Sequence, residues 1–359
     1  MRNSIKSVLL FILILLLFSG SGIQAQTASE HYSQGMDFIE KGKFHEAWQS
    51  LSQAWQMDKQ NYSYRRWFMY ISIYMGENAL FENNHALALK HFNIAFDIKK
   101  ELSQTKDTDY ITIERYIDLT REHATYCKRP PEYVFKVLAL YIKKTDIRNT
   151  RDASGNLITS RGEISDNQIA NTNHKQNILK FYIEALSRGR LSLSFERKVL
   201  NTTLTRATIY ARQPHRTVFR PDFDSTIESL GKILFEGRNT FDAIFYYFNN
   251  NNFRVWPFAN GVSSIYHPYT LYGERRGSIA MPMDVSGEIK SALSRFNHAW
   301  VHFHEFFHVI ERISGGIGPQ HAWLPDAIEK AKQKYPAWVP DMNSAWTATE
   351  YTWYRYHLL

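Results

Sequence analysis

His304-Glu305-Phe306-Phe307-His308 places two imidazoles one helical turn apart with a carboxylate between them. On an α-helix each residue advances by about 100°, so His304 and His308 stand roughly 40° apart on one face and can ligate a single metal ion from adjacent turns. Glu305 lies about 100° round from His304, where its carboxylate reaches a metal-bound water without being a ligand itself, as a general base requires. Val301-His302-Phe303 precede the stretch and Val309-Ile310 follow it, so its flanks are apolar. The pattern predicts a helix over residues 288–314, closed by Gly315-Gly316 as a C-cap. The competing reading of the same letters is an amphipathic helix whose histidines edge a core. His298 and His302 fall on a different face from the pair and read as surface or core-edge residues.

The five residues in this apolar setting resemble the zincin metallopeptidase signature. Metzincins continue as H-E-x-x-H-x-x-G-x-x-H, but those positions are Glu311 and Ser314 here, so the third ligand comes from elsewhere. A gluzincin-like arrangement, with a carboxylate from a later helix, is the expectation that follows. His321, Asp326, Glu329 and Glu350 compete for the role. Asp326 and Glu329 belong to Pro325-Asp-Ala-Ile-Glu-Lys-Ala-Lys-Gln-Lys334, acids followed by lysines, the charge order of a solvated helix matched to its dipole. Asp326 remains an alternative third ligand because Trp323-Leu-Pro-Asp326 resembles the W-L-x-E stretch of many gluzincins, with Asp for Glu. Glu350 sits in Trp346-Thr-Ala-Thr-Glu-Tyr-Thr-Trp-Tyr-Arg-Tyr-His357, where helical spacing gathers Trp346, Trp353, Tyr354 and His357 on its side. A carboxylate on such a face needs a partner, either a metal or an arginine such as Arg355. Glu350 is the expected third ligand.

The resemblance implies one Zn²⁺ per chain and a hydrogen-bond donor to the developing oxyanion, for which His321, Tyr351 and Tyr354 are equal candidates. It also implies a substrate peptide paired with a sheet edge at Ser278, Ile279, Ala280 and Met281, ended by Pro282; an ordinary buried strand is the other reading. Glu311, one turn beyond His308, either orients an imidazole from behind or makes a surface ion pair.

Residues 1–25 read as a secretory signal peptide: Arg2 and Lys6, an apolar core over 8–18, then Ser19-Gly-Ser-Gly-Ile-Gln-Ala25. Export to the periplasm or the extracellular space is expected. No later stretch reaches the roughly 18 apolar residues of a membrane span. Cys127 is the single cysteine, so no internal disulfide is expected, and no cysteine near residue 25 points to a lipid anchor. Removing Arg2 and Lys6 lowers the formal charge from +8 to +6, because residues 1–25 hold no acid. The cations are scattered without a long run, which argues against a nucleic-acid partner. Aromatics make up 15% of the chain and suit helix packing and a peptide cleft better than a base-stacking platform.

Tyr32, Gly35, Phe38, Gly42, Phe44, Ala47, Leu51 and Ala54 set out small and large residues in a pattern that Gly76, Ala88, Phe92 and Ala95 echo 41 residues later. This resembles the tetratricopeptide repeat, in which antiparallel helix pairs stack and bind protein partners. Segments 109–126 and 132–144 look helical and extend the array. The polar, turn-rich stretch 145–167, with Asp152-Ala-Ser-Gly-Asn156, reads as a loop. Beyond it come a helix over 169–187, an alternating strand over 190–200, a helix over 225–236, an apolar strand over 241–248 and a strand at Gly277-Ser-Ile-Ala-Met-Pro282. The expected organisation is a signal peptide (1–25), helical repeats (27–145), a linker (146–166) and an α+β zincin-like domain with a mixed sheet (167–359). The expected function is zinc-dependent hydrolysis of peptide bonds. The alternative is a repeat-based protein-binding module with an inactive or structural zinc site.

Overall fold

The computed structural model describes residues 26–102, 108–151, 155, 157–213, 216–221, 241–249, 262–264, 277–283 and 306. It opens with five helices: α1 (Ala28–Glu40), α2 (Phe44–Met57), α3 (Tyr62–Phe81), α4 (His85–Leu102) and α5 (Thr108–Tyr126). Helix α1 starts in a capping box, with Thr27 and Glu30 each bonding the other's backbone N–H. Asn61 caps α3 by accepting from the N–H groups of Ser63 and Tyr64.

The 41-residue repeat is a repeat of helical hairpins, α1–α2 and α3–α4, and its physical content is one matched contact. Gly35 meets Leu51 so closely that a Cβ there would lie 2.6 Å from Leu51 Cγ. Gly76 meets Phe92, with a Cβ falling 2.5 Å from its ring. Both members of the pair recur at the same spacing, so the absence of a side chain at Gly35 and Gly76 is what lets each hairpin close on a large apolar residue.

After α5 the chain forms β1 (Tyr133–Arg151), β2 (Leu157–Glu163), α6 (Asp166–Leu186), β3 (Leu191–Leu204), β4 (Ala207–Gln213), β5 (Arg216–Pro221), β6 (Ala243–Asn249), β7 (Val262–Ser264) and β8 (Gly277–Met283). Two expectations are corrected. The segment 132–144 is strand, not helix. Its run Val134-Phe-Lys-Val-Leu-Ala-Leu-Tyr-Ile142 is paired in parallel with β3 on one side and with β6 on the other. A strand buried on both faces is apolar throughout and shows no alternation to separate it from a buried helix. The stretch 146–166 is likewise no linker: the end of β1 and β2 form an antiparallel hairpin, with Gly155 at φ 84° in its turn. The helix expected over 225–236 lies outside the described residues, whereas those expected over 169–187, 190–200 and 241–248 correspond to α6, β3 and β6.

The sheet is mixed. Strands β3, β1, β6 and β8 run parallel, β7 closes antiparallel on β8, and β2 pairs antiparallel with the far end of β1. Lys144 is opposite both Glu163 and Thr203, so β2 and β3 flank β1 on opposite sides and β2 continues the edge that β6 occupies earlier. Asn249, at the end of β6, donates to the Glu163 carbonyl at 2.8 Å across that seam. Gly162 makes room for it, since a Cβ there would fall 2.7 Å from the Asn249 amide.

Alternation divides the sheet into two buried faces. Val137, Ala139, Tyr141, Ala243, Phe245 and Tyr247 join the core that runs through α6 into the helical hairpins. Leu138, Leu140, Ile142, Ile244, Tyr246 and Phe248 form a separate cluster on the other face. Glu77 of α3 binds the helices together: Tyr116 of α5 donates to its Oε1 at 2.5 Å and His174 of α6 meets its Oε2 at 2.7 Å. Burial, then the Glu77 carboxylate, push the Tyr116 phenol well above its ordinary value. Among the described residues no helix is long and apolar enough to cross a membrane.

Gly76→Ala is expected to destabilise the protein by about 1–3 kcal/mol despite the roughly 1 kcal/mol gained in helix propensity. Phe92 is fully buried and stacked on Tyr116 at 4.8 Å, so it cannot yield; urea denaturation measures the change. Buried His91, whose Nδ1 has no partner among the described residues, is pushed down to about 4 by burial. The unfolded chain therefore takes up this proton near pH 6.5 while the folded one resists it to about 4, and stability drains away as pH falls through that window. His91→Gln should flatten that part of the Tm–pH curve; an unchanged slope would refute the assignment.

Candidate functional site

Of the five residues His304 to His308, the described one is Phe306. Its backbone is helical and its side chain fully buried. The ring stands edge-on to Phe135 of β1, with centroids 5.8 Å apart and planes at 88°, and packs on Phe245 of β6 at 6.1 Å and 62°. Aromatic rings prefer such tilted contacts because the positive edge of one meets the negative face of another. Phe135 and Phe245 belong to the sheet face that also receives α6. Phe306 is thus seated over the parallel strands β1 and β6, in the same core that receives α6.

His304, Glu305, His308, Glu311, His321, Asp326, Tyr351, Tyr354 and Glu350 lie outside the described residues. Among the described residues no group of three or more His, Cys, Asp or Glu is placed to hold a metal ion.

Ser278, Ile279, Ala280 and Met281 are in β8, as expected of a strand, but the surroundings differ from a free edge. On one side β8 pairs in parallel with β6 from Gly277 to Met283. On the other, Ser278, Ile279 and Ala280 pair antiparallel with Ser264, Ser263 and Val262 of β7. Over those three residues the main-chain groups on both sides are already engaged, so the edge belongs to β7. Pro282 does not end the pairing either: it stands opposite Phe248, and Met283 opposite Asn249. Pro282 lies beyond the three β8 residues that pair with the described part of β7, and it has no N–H to give to a neighbouring strand.

The same sheet face carries a buried polar network for which the sequence holds no motif. Gln176 of α6, fully buried, donates from Nε2 to the hydroxyls of Tyr141 and Tyr247, both at 3.0 Å. Its Oε1 accepts from Arg197 of β3 at 2.8 Å, which fixes the orientation of the amide, because a guanidinium can only donate. Tyr141 passes its own hydrogen to Asn173 at 2.6 Å, and Arg197 also reaches Asn177 at 2.9 Å. Burial pushes both phenols well up, so they stay protonated donors. The network anchors α6 to the strands on which Phe306 rests. It joins residues from four elements, β1, α6, β3 and β6, and a glutamine in a polar helix carries no spacing signal that marks it.

No protein-family model matches this sequence, and no curated protein or solved structure is detectably similar to it.

Phe306→Ala should cost about 3–5 kcal/mol, the range for truncating a fully buried phenylalanine. Phe306→Leu, which keeps most of the apolar volume, should cost markedly less. Thermal or urea unfolding of the two variants checks this; equal and small losses would show that the ring does not anchor the segment.

Proposed function

We propose that the chain is an exported zinc metallopeptidase whose H-E-x-x-H helix is held on the sheet by Phe306. One observation carries the reading: Phe306 has helical backbone and is buried against Phe135 and Phe245. On a helix, residues two before and two after a given position lie about 160° round from it, so a helix seated through Phe306 turns His304 and His308 together away from the sheet. Glu305 then lies to the side, about 100° from Phe306. An amphipathic helix with incidental histidines anchored at the same ring would share this division, so metal binding is what separates the two readings. In the metallopeptidase reading the apolar Phe306 faces the wall and the histidine pair would take the open side.

In this reading His304, His308 and Glu350 hold the ion, with Asp326 the alternative carboxylate. When bound, zinc supplies Lewis-acid polarisation of the scissile carbonyl and acidifies the attacking water. Glu305 takes the proton of that water and returns it to the leaving amine. His321, Tyr351 or Tyr354 donates to the oxygen on which charge develops. Glu311 orients an imidazole from behind. Of the four strand positions, Met281 is the one not paired with the described residues of β7, and a substrate main chain would join the sheet there. The helical hairpins α1–α2 and α3–α4 resemble tetratricopeptide repeats and would recruit a protein partner or substrate.

The repeated Gly35–Leu51 and Gly76–Phe92 contacts favour one second reading, a protein-binding module built on the hairpins with a zinc site that is inactive or structural. Coordination number separates the two, because a structural site is closed by four protein ligands and a catalytic one leaves a position for water.

Wild type is expected to bind about one zinc per chain and to cleave a mixed peptide library. Glu305→Gln should keep the metal and lose about 10²–10⁴ in kcat/KM, and Glu350→Ala should lose the metal. Elemental analysis with library hydrolysis measures all three; zinc bound tightly by wild type without any cleavage would move the second reading ahead, and no zinc at all would sink the first.

A further inference from the structure

His85, the first residue of α4, His123, in the last turn of α5, Glu184, near the end of α6, and Ser192, at the start of β3, form one hydrogen-bonded chain across four elements. His85 Nε2 and His123 Nδ1 are 2.8 Å apart. His123 Nε2 lies 3.2 Å from Glu184 Oε2, and Ser192 donates to Glu184 Oε1. His123 is buried, with its ring stacked on Phe181 at 5.1 Å, while His85 is partly exposed.

The carboxylate sets the direction of every proton. An ionised carboxylate only accepts, so His123 Nε2 carries a hydrogen; in the neutral ring Nδ1 is then a lone pair, and His85 donates to it from Nε2. One added proton leaves the chain whole. As an imidazolium, His123 donates from both nitrogens, to Glu184 and to His85 Nε2, whose own hydrogen moves to Nδ1. A second proton puts an N–H on both sides of the 2.8 Å gap, and the contact can no longer form.

Placement within the helix opposes a proton at His85. It stands at the N-terminal end of α4, where the helix dipole disfavours a cation, while His123 lies in the last turn of α5 beside Glu184. Burial, then the charge of His123, hold His85 below its ordinary value. Burial raises the Glu184 carboxyl, but the hydrogen bonds from His123 and Ser192, with Lys180, outweigh it and leave it lowered. Charged or titratable groups near these residues in sequence include Glu82, Lys90 and His91 around the start of α4, Arg121, Glu122 and Cys127 around the end of α5, and Lys180 and Arg188 around the end of α6. Arg188 pairs with Glu122 at 3.9 Å and Lys180 with Glu184 at 3.8 Å, and Cys127 donates to the Glu184 carbonyl at 3.3 Å.

We propose that His85, His123 and Glu184 form an acid-released clasp between the second helical hairpin and the junction of α5, α6 and β3. The clasp is closed with no proton or one added to the imidazole pair and opens when the pair takes the second. Release frees the first turns of α4 and the turn before it, while the Phe92–Tyr116 stack keeps the rest of the hairpin in place. The hairpin face that meets a protein partner thereby becomes sensitive to pH, whether or not the protein is a peptidase. The sign follows from the lowered His85: the unfolded or opened form takes its proton near 6.5, the closed form only below that, so closure is favoured above 6.5 and is lost as pH falls through the lowered value.

Hydrogen–deuterium exchange of the full chain, corrected for intrinsic rates, tests this between about pH 7.5 and 5. In His85→Gln the side-chain amide still donates to His123 but cannot take a proton; in His85→Ala the contact is gone. Peptides covering 85–96 should lose at least about tenfold of their protection on acidification in wild type, stay protected in His85→Gln, and be poorly protected at every pH in His85→Ala. Equal acid loss in wild type and His85→Gln, or none in wild type, overturns the clasp. Imidazole ¹⁵N titration of wild type decides it without any variant: two coupled steps shared by the pair are expected, and two independent titrations would refute it.

Discussion

Residues 137–142 of β1 are buried on both faces and lie between β3 on one edge and β6 on the other, and the rest of the molecule is arranged around that strand. Backbone groups so far from water have to be paired, which only a neighbouring strand on each side achieves. Side chains on the two faces then have to be covered. One face takes α6 and, through it, the helical hairpins; it also takes Phe306. A strand with less apolar sequence could not have served both faces.

The helical and sheet parts are joined by polar groups inside an apolar core. Glu77 bonds α5 and α6, Gln176 bonds β1 and β6, and the Glu184 chain bonds α4, α5 and β3. Each is expensive to bury and is retained only with its partners in place, so these contacts fix the relative position of elements more sharply than apolar packing does. The core runs continuously from the first hairpin to the sheet. A change in one part is therefore felt by the wall on which Phe306 rests.

Much of the local structure was legible from spacing alone. The glycine and large-residue pattern at Gly35, Leu51, Gly76 and Phe92 marked two equivalent hairpins because close helix approach demands a missing side chain at one position and bulk at another. The alternation after Arg190 marked β3, and the apolar octet at 241–248 marked β6. Residues 132–144 were misread because a central parallel strand and a buried helix are both apolar throughout. Residues 145–167 were misread because polar, turn-rich composition fits a hairpin as well as a linker.

The sequence by itself determined which residues are candidates for chemistry: two histidines four apart with a glutamate between them are a property of the chain, and one turn of a helix would bring that histidine pair to one face. It also determined the repeat, which is local. Only the tertiary structure decided what Phe306 rests on, that β7 lines the strand expected to be free, and that His85, His123 and Glu184 meet across separations of 38 and 61 residues. Those contacts depend on strand order and on which helix face the sheet receives, and a linear pattern of residue types carries no record of either.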